Sequence, residues 1–113
     1  MNIELSPKET KFFLAYLEAI DFTESGDGEL DETFYRECFI DCLAMFQRIG
    51  CYLSDDAIEQ AGHDFWLTRN GHGSAYWDRT ELYGGTFAAR FSDIATGFGE
   101  VHAIYDTDIE RAA

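Results

Sequence analysis

Two histidines and an aspartate lie close together in the stretch 61–79, at His63, His72 and Asp78. Imidazole nitrogens and a carboxylate can hold zinc or a similar ion when they converge, or they can transfer protons. The end of a predicted helix separates the two histidines, so the spacing alone does not bring them together. One possible function is therefore a small metal-dependent or acid–base enzyme that uses His63, His72 and Asp78. The simpler interpretation, which assigns no metal, cofactor or catalytic residue, is that the histidines fix a turn.

The same stretch has the composition of an anchored turn. Asn70-Gly71 is a helix stop, because both residues tolerate the left-handed conformation that closes a helix. Trp66, Tyr76 and Trp77 are large apolar rings with polar tips, and we expect them to hold the turn against the core. We interpret Asp64, Arg69, Asp78 and Arg79 as a set of salt bridges and caps. The predicted structural turn comprises His63, Trp66, Arg69, His72, Trp77 and Asp78.

A second possible site is a calcium loop from Asp21 to Glu32. Oxygen-bearing residues fall at the ligand positions of such a loop, and Gly26 lies where the sharp turn is needed. Gly28 replaces the usual aliphatic residue, and two ligand positions carry hydroxyls instead of carboxylates. The candidate ligands are Asp21, Thr23, Ser25, Asp27, Glu29 and Glu32. Acid- and glycine-rich loops match this template easily by chance, so the simpler interpretation is a solvated acidic turn.

Charge is the strongest global property of the sequence. The chain has 22 Asp and Glu against 8 Lys and Arg, which gives a net charge of −14. Such a surface repels nucleic acids and anionic membranes and attracts basic partners. Direct DNA binding is excluded, because phosphate contacts need clustered Lys and Arg. The acids concentrate between residues 18 and 41. The predicted partner-binding residues are Asp21, Glu24, Asp27, Glu29, Asp31, Glu32 and Glu37.

The chain of 113 residues is long enough for one domain, residues 1–113, with its own core. Hydrophobic periodicity and capping signals predict a mainly α, compact four-helix domain with a short C-terminal strand. Ser6 and Glu9 predict a capping box for the first helix, and Asp31 predicts a cap for the second. The second helix has the apolar stripe Phe34, Cys38, Cys42, Met45 and Ile49, which Tyr35 is expected to widen. Gly62 of the third helix is expected to permit close approach of another backbone. The helices are expected over about 7–20, 31–49, 54–69 and 86–98, and the strand over 101–105. The only candidate partner for that strand is an extended piece at 74–77, which would make a minimal two-stranded sheet. Cys38, Cys42 and Cys51 are expected to be reduced and buried.

The sequence of residues 61–79, AGHDFWLTRNGHGSAYWDR, resembles the signature of a family of small proteins encoded by bacteriophages and prophages. In that family an AGHDFWLTRNGHG block is followed by an aromatic-Trp-Asp element, and then by a short helix leading into a GEV strand. The chain has the same order, with Tyr76-Trp77-Asp78 and later Gly99-Glu100-Val101. The resemblance covers roughly residues 53–105. It implies a phage setting and supplies no activity that can be transferred to individual residues.

Charge and resemblance together predict a non-enzymatic phage protein whose acidic surface binds a basic host protein. The expected partner handles nucleic acid, for example a defence nuclease, a restriction enzyme or a CRISPR effector, and the acids would imitate phosphates. We expect this anti-defence inhibitor to act in the host cell cytoplasm, with no direct contact to nucleic acid or membrane. A further alternative is a structural or regulatory phage protein whose distinctive turn only supports the fold.

Overall fold

The computed structural model describes residues 5–24, 26, 28–73 and 75–106. Six α-helices are present in this part of the chain, and the mainly α fold class is confirmed. They are α1 (Pro7–Thr23), α2 (Glu32–Ile49), α3 (Ile58–Arg69), α4 (Ala75–Asp78), α5 (Thr80–Tyr83) and α6 (Gly85–Gly97). Two 3₁₀ turns, Gly50–Tyr52 and Asp55–Ala57, connect α2 to α3. None of the described helices has the length and apolar character needed to cross a membrane.

Helix α1 begins at the capping box that the sequence predicts. The Glu9 backbone N–H donates to the Ser6 hydroxyl at 3.1 Å, and the Ser6 N–H donates to the Glu9 carboxylate at 2.9 Å. The helix continues beyond its predicted end at residue 20 as far as Thr23. The Thr23 hydroxyl donates to the carbonyl of Ala19 at 2.9 Å, which adds a side-chain hydrogen bond to the last turn.

Helix α2 begins at the predicted cap, where the Asp31 carboxylate accepts a 3.1 Å hydrogen bond from the backbone N–H of Phe34. The predicted apolar stripe is buried along its whole length: Phe34, Cys38, Cys42, Met45 and Ile49. Tyr35 was expected to widen this stripe, but it is 44% exposed. Helix α2 ends at Ile49, its predicted last residue, with Gly50 as the C-cap, and Gly50 then begins the first 3₁₀ turn.

The centre of the fold is the close crossing of α1 and α3. Gly62 of α3 lies against the backbone of α1, where an added Cβ would collide with the Phe12 carbonyl and lie 2.9 Å from the Cβ of Ala15. The predicted role of this glycine in close helix approach is therefore confirmed. Around the crossing, the Tyr16 ring packs against Phe65 and Trp66 at centroid distances of 5.1 and 5.5 Å.

Two predictions about the second half of the chain were wrong. The predicted extended piece at 74–77 is helix α4 over its described residues, while Ser74 lies outside them. Gly71 and Gly73, with φ of 70° and 81°, turn the chain so that it re-enters helical conformation. The predicted strand at 101–105 is reduced, in the described part of the chain, to one antiparallel bridge. Its partner is Leu30 and not the 74–77 segment.

The three cysteines divide into two classes. Cys38 and Cys42 are buried on the inner face of α2, as expected, whereas Cys51 is exposed and that prediction was wrong. Cys51 lies in the 3₁₀ turn after α2, which sits at the surface. Burial raises the pKa of the Cys38 thiol to about 12 and that of Cys42 well above its ordinary value.

Candidate functional site

An open groove lies between the end of α1, the start of α2 and the segment after α6. Its volume is about 610 Å³. Four carboxylates line it, those of Asp21, Glu29, Glu32 and Asp106. The remaining lining residues are Gly28, Leu30, Tyr35 and Tyr105. We call these eight residues the acidic groove.

Two backbone hydrogen bonds join the loop before α2 to the segment after α6 at one side of the acidic groove. The N–H of Asp31 donates to the carbonyl of Ile104 at 2.8 Å, and the N–H of Asp106 donates to the carbonyl of Glu29 at 2.9 Å. They flank the bridge between Leu30 and Tyr105. Asp106 was absent from the predicted partner-binding set, because no local sequence pattern indicates that the C-terminal segment pairs with the loop before α2.

The other predicted partner-binding acids are distributed differently. Glu24 is the half-buried C-terminal cap residue of α1, and Glu37 is exposed on α2 but does not line the groove. Asp31 is partly buried and committed to capping α2. Glu32 forms an exposed salt bridge of 2.8 Å with Arg36. Asp27 lies outside the described residues. Of the seven predicted partner-binding acids, three line the acidic groove: Asp21, Glu29 and Glu32.

The groove combines its negative charge with two tyrosine rings. Tyr35 is 44% exposed and stands edge-on to Phe13, with ring centroids 5.4 Å apart. Tyr105 is buried, and its ring fills the space where a side chain at Gly26 would otherwise lie. Carboxylates beside aromatic faces form a site suited to a cation.

The described residues of the same region are not arranged as a calcium loop. Asp21 and Thr23 belong to helix α1, and the Thr23 hydroxyl accepts a 2.7 Å hydrogen bond from the indole Nε1 of Trp66. Among the described residues, no three His, Cys, Asp or Glu side chains are arranged to hold a metal ion. Two of the candidate ligands, Ser25 and Asp27, lie outside those residues.

The distinctive block at 61–79 contains two buried ionic networks, and Asp64 is the centre of the first. Its fully buried carboxylate accepts hydrogen bonds from Arg79 Nε at 2.8 Å and from the Tyr83 hydroxyl at 2.8 Å. Gln60 donates a third at 3.0 Å. Burial and the adjacent Asp64 carboxylate both raise the pKa of Tyr83, so its hydroxyl remains a donor.

Arg69 is the centre of the second network. Its guanidinium donates to the Asp41 carboxylate at 2.8 Å, to the Tyr16 hydroxyl at 3.1 Å, and to the carbonyls of Phe98 and Gly99 at 3.1 and 2.8 Å. Burial alone would lower the pKa of Arg69, but the interactions with Tyr16 and Asp41 raise it overall. Asp41, the carboxylate partner of Arg69, therefore lies on α2. It does not belong to the set of salt bridges predicted from the sequence, which comprised Asp64, Arg69, Asp78 and Arg79.

Asn70 connects this block to the acidic groove. Its side-chain carbonyl accepts a 2.8 Å hydrogen bond from the Val101 N–H, and its amide donates to the carbonyl of Trp66 at 3.0 Å. Together with Arg69, it fixes the start of the segment that carries Tyr105 and Asp106 into the groove. Sequence reasoning assigned Asn70 only a role in ending the helix, and its contact with Val101 had no local signal.

The aromatic residues of the block divide into anchors and a surface residue. Trp66 and Tyr76 are fully buried, and the Tyr76 hydroxyl donates to the carbonyl of Ala61 at 2.7 Å. Trp77 was also expected to anchor the turn, but it is 52% exposed. Adjacent residues of a helix point in different directions, and α4 is oriented so that Tyr76 faces the core while Trp77 lies at the surface.

The structure does not assemble the alternative site at His63, His72 and Asp78. His63 is half-buried on α3, with Nε2 3.7 Å from the Glu18 carboxylate. His72 is exposed in the turn, and Asp78 is exposed at the end of α4. These three side chains do not form a metal-holding group within the described part of the chain. No observation therefore favours the enzyme alternative.

Comparisons with protein-family models, with curated proteins and with solved structures found no match for this chain. The groove and its charge are consequently the basis on which a function is inferred.

Proposed function

We propose that this chain is a non-enzymatic, phage-encoded binding protein whose acidic groove engages a basic, nucleic-acid-handling protein in the host cytoplasm. The observation that carries the proposal is the convergence of four carboxylates on one groove, at Asp21, Glu29, Glu32 and Asp106. A net charge of −14 and the resemblance to small phage and prophage proteins support it. A defence nuclease, a restriction enzyme or a CRISPR effector would have the required basic surface.

The physical basis of the proposal is competition with phosphates. A nucleic-acid-binding protein presents Lys and Arg at the spacing of a charged backbone, and counterions leave the nucleic acid when these residues neutralise its phosphates. A protein surface rich in carboxylates can occupy the same basic groove. Long-range attraction between opposite charges raises association rates by about 10–10³-fold, and salt weakens this attraction. The partner should therefore lose access to its nucleic acid most strongly at low ionic strength.

The proposal is tested with two variants of equal net charge. The groove variant carries Asp21→Lys, Glu29→Lys and Asp106→Lys, three changes at exposed residues that line the groove. The control variant carries Asp56→Lys, Asp93→Lys and Glu100→Lys, three changes at exposed residues elsewhere. Each variant shifts the net charge by six units, from −14 to −8. A difference between them reports the groove and not the total charge.

The immobilised wild type is used to capture proteins from bacterial lysate. The captured proteins are identified and purified, and their binding to labelled duplex DNA is measured. We expect the wild type and the control variant to displace the DNA, and the groove variant to be on the order of tenfold less effective. Added salt at about 1 M, where screening limits electrostatics to about 3 Å, should reduce this difference. Equal competition by both variants, or no displacement of DNA by the wild type, would overturn the proposal.

A further inference from the structure

The acidic groove has a feature that its charge does not explain, namely the exposed ring of Tyr35 beside the buried ring of Tyr105. We propose that the groove receives an arginine side chain of the basic partner and prefers it to lysine. This inference rests on the proposed function and specifies which cation the groove recognises.

The first argument is the fixed position of the aromatic rings. The edge-on contact with Phe13 restrains Tyr35, and Phe13 itself is buried in the core between α1 and α2. Phe13 makes a second edge-on contact with Phe39, at 5.6 Å between ring centroids. Tyr105 is held by its bridge to Leu30 and by close packing against Gly26. A ligand that stacks on prearranged rings loses less side-chain entropy on binding than one that must order them.

The second argument is the chemistry of the two basic side chains. The guanidinium group of arginine is planar and weakly hydrated, so it stacks on a tyrosine face and donates paired hydrogen bonds to a carboxylate. The ammonium group of lysine is compact and strongly hydrated, and it gains less from an aromatic face. Carboxylates alone would attract both cations, whereas carboxylates beside an exposed tyrosine favour arginine.

The third argument concerns which carboxylates are available. Glu32 already forms a salt bridge with Arg36 on its own helix. Asp21, Glu29 and Asp106 are exposed and line the same groove. None of these three carboxylates forms a salt bridge with another residue that the structure describes, so they can accept the forked donors of an incoming guanidinium while Tyr35 supplies the stacking surface.

The test uses two capped, fluorescently labelled peptides that differ only in carrying arginine or lysine at every second position, with glycine between. Binding to the full-length protein is measured by anisotropy at physiological ionic strength. We expect the arginine peptide to bind roughly two- to fivefold more tightly, which corresponds to one cation–aromatic contact at an exposed site. The groove variant should bind both peptides weakly.

Substitutions of Tyr35 provide the discriminating control. Tyr35→Ala should bring the two peptides to equal affinity, whereas Tyr35→Phe, which retains the aromatic face, should keep the preference for arginine. Equal binding of both peptides by the wild type would overturn this inference and leave the proposed function standing. A preference that survives Tyr35→Ala would also overturn it. Failure of the wild type to bind either peptide would contradict the inference and the proposed function together.

Discussion

The carboxylate of Asp64 and the guanidinium of Arg79 lie 2.8 Å apart, and the two side chains differ sharply in exposure. Asp64 is fully buried, while 38% of the Arg79 side chain reaches solvent. Arg79→Ala would leave a buried carboxylate without its countercharge. We expect a loss of about 3 kcal/mol in the free energy of unfolding, near the lower end for broken buried pairs, because Tyr83 and Gln60 still donate to Asp64.

Chemical denaturation of the single variants and of the Asp64→Asn/Arg79→Ala double variant measures this coupling. The double variant removes both charges and should be more stable than Arg79→Ala alone. If Arg79→Ala lowers the free energy of unfolding by less than about 1 kcal/mol, the pair behaves like an exposed salt bridge. The interpretation of Asp64 and Arg79 as a buried stabilising pair would then be wrong.

Truncation of the two tryptophans should lower the free energy of unfolding by very different amounts. Trp66→Ala removes a fully buried ring together with its hydrogen bond to Thr23, and should lower the free energy of unfolding by about 3–5 kcal/mol. Trp77 is 52% exposed, so Trp77→Ala should change the free energy of unfolding by no more than about 1 kcal/mol. Thermal unfolding monitored by circular dichroism distinguishes the two. Similar losses in both variants would contradict the exposure of Trp77.

Gly62→Ala tests the close approach of α1 and α3. Alanine normally favours a helix by about 1 kcal/mol relative to glycine. At Gly62 the added methyl group meets the Phe12 carbonyl and the Cβ of Ala15, so the helices must separate. We expect a net loss of about 1–3 kcal/mol. Gly97→Ala is the matched control, since an added Cβ there meets no heavy atom within 4 Å, and it should not destabilise. A stabilising effect of Gly62→Ala would show that the crossing is looser.

Alkaline pH should destabilise the fold through its buried thiols and phenols. The pKa of Cys38 is raised from 9.0 to about 12, and burial also raises the pKa values of Tyr16, Tyr76 and Tyr83 above 10.0. Above about pH 9 the unfolded chain therefore binds fewer protons than the folded chain. The free energy of unfolding should fall as pH rises, by up to about 1.4 kcal/mol per pH unit for each group.

Urea unfolding from about pH 8 to about pH 11 checks this dependence. Cys38→Ala supplies the control, because it removes one of the contributing groups and should reduce the slope with pH. An unfolding free energy that stays constant across this range would contradict the assignment of these groups as buried and protonated.

Local signals were sufficient to predict the long helices. The Ser6 capping box and the Asp31 cap act within one helical turn, so a sequence contains the whole interaction. The apolar stripe of α2 follows the helical period and was buried as predicted. Tyr76 and Trp77 show where this reasoning ends. Both rings have the composition of core residues, and only the direction of the four-residue helix α4 decides which one is buried.

Long-range pairing accounts for what the sequence did not predict. Arg69 finds its carboxylate partner at Asp41 on another helix, and Asn70 finds the Val101 N–H beyond α6. Asp106 enters the groove only because Tyr105 pairs with Leu30. Each contact joins residues far apart in the chain, and the sequence offers many other residues that could form the same kind of contact. The charge of the surface was therefore predictable, but the residues that share one groove were not.

The described part of the segment after α6, residues 98–106, is joined to the rest of the fold by a few separate backbone hydrogen bonds and not by a continuous ladder. This makes the groove a unit of local opening. The N–H groups of Val101 and Asp106, and that of Asp31 on the opposite side, depend on these single contacts. Their amide hydrogens should exchange with solvent by a subglobal detachment of the segment while the core around Trp66 stays folded. A cationic ligand in the groove would bind only the attached form, so it should slow exchange at Asp31 and Asp106 and leave the core amides unchanged.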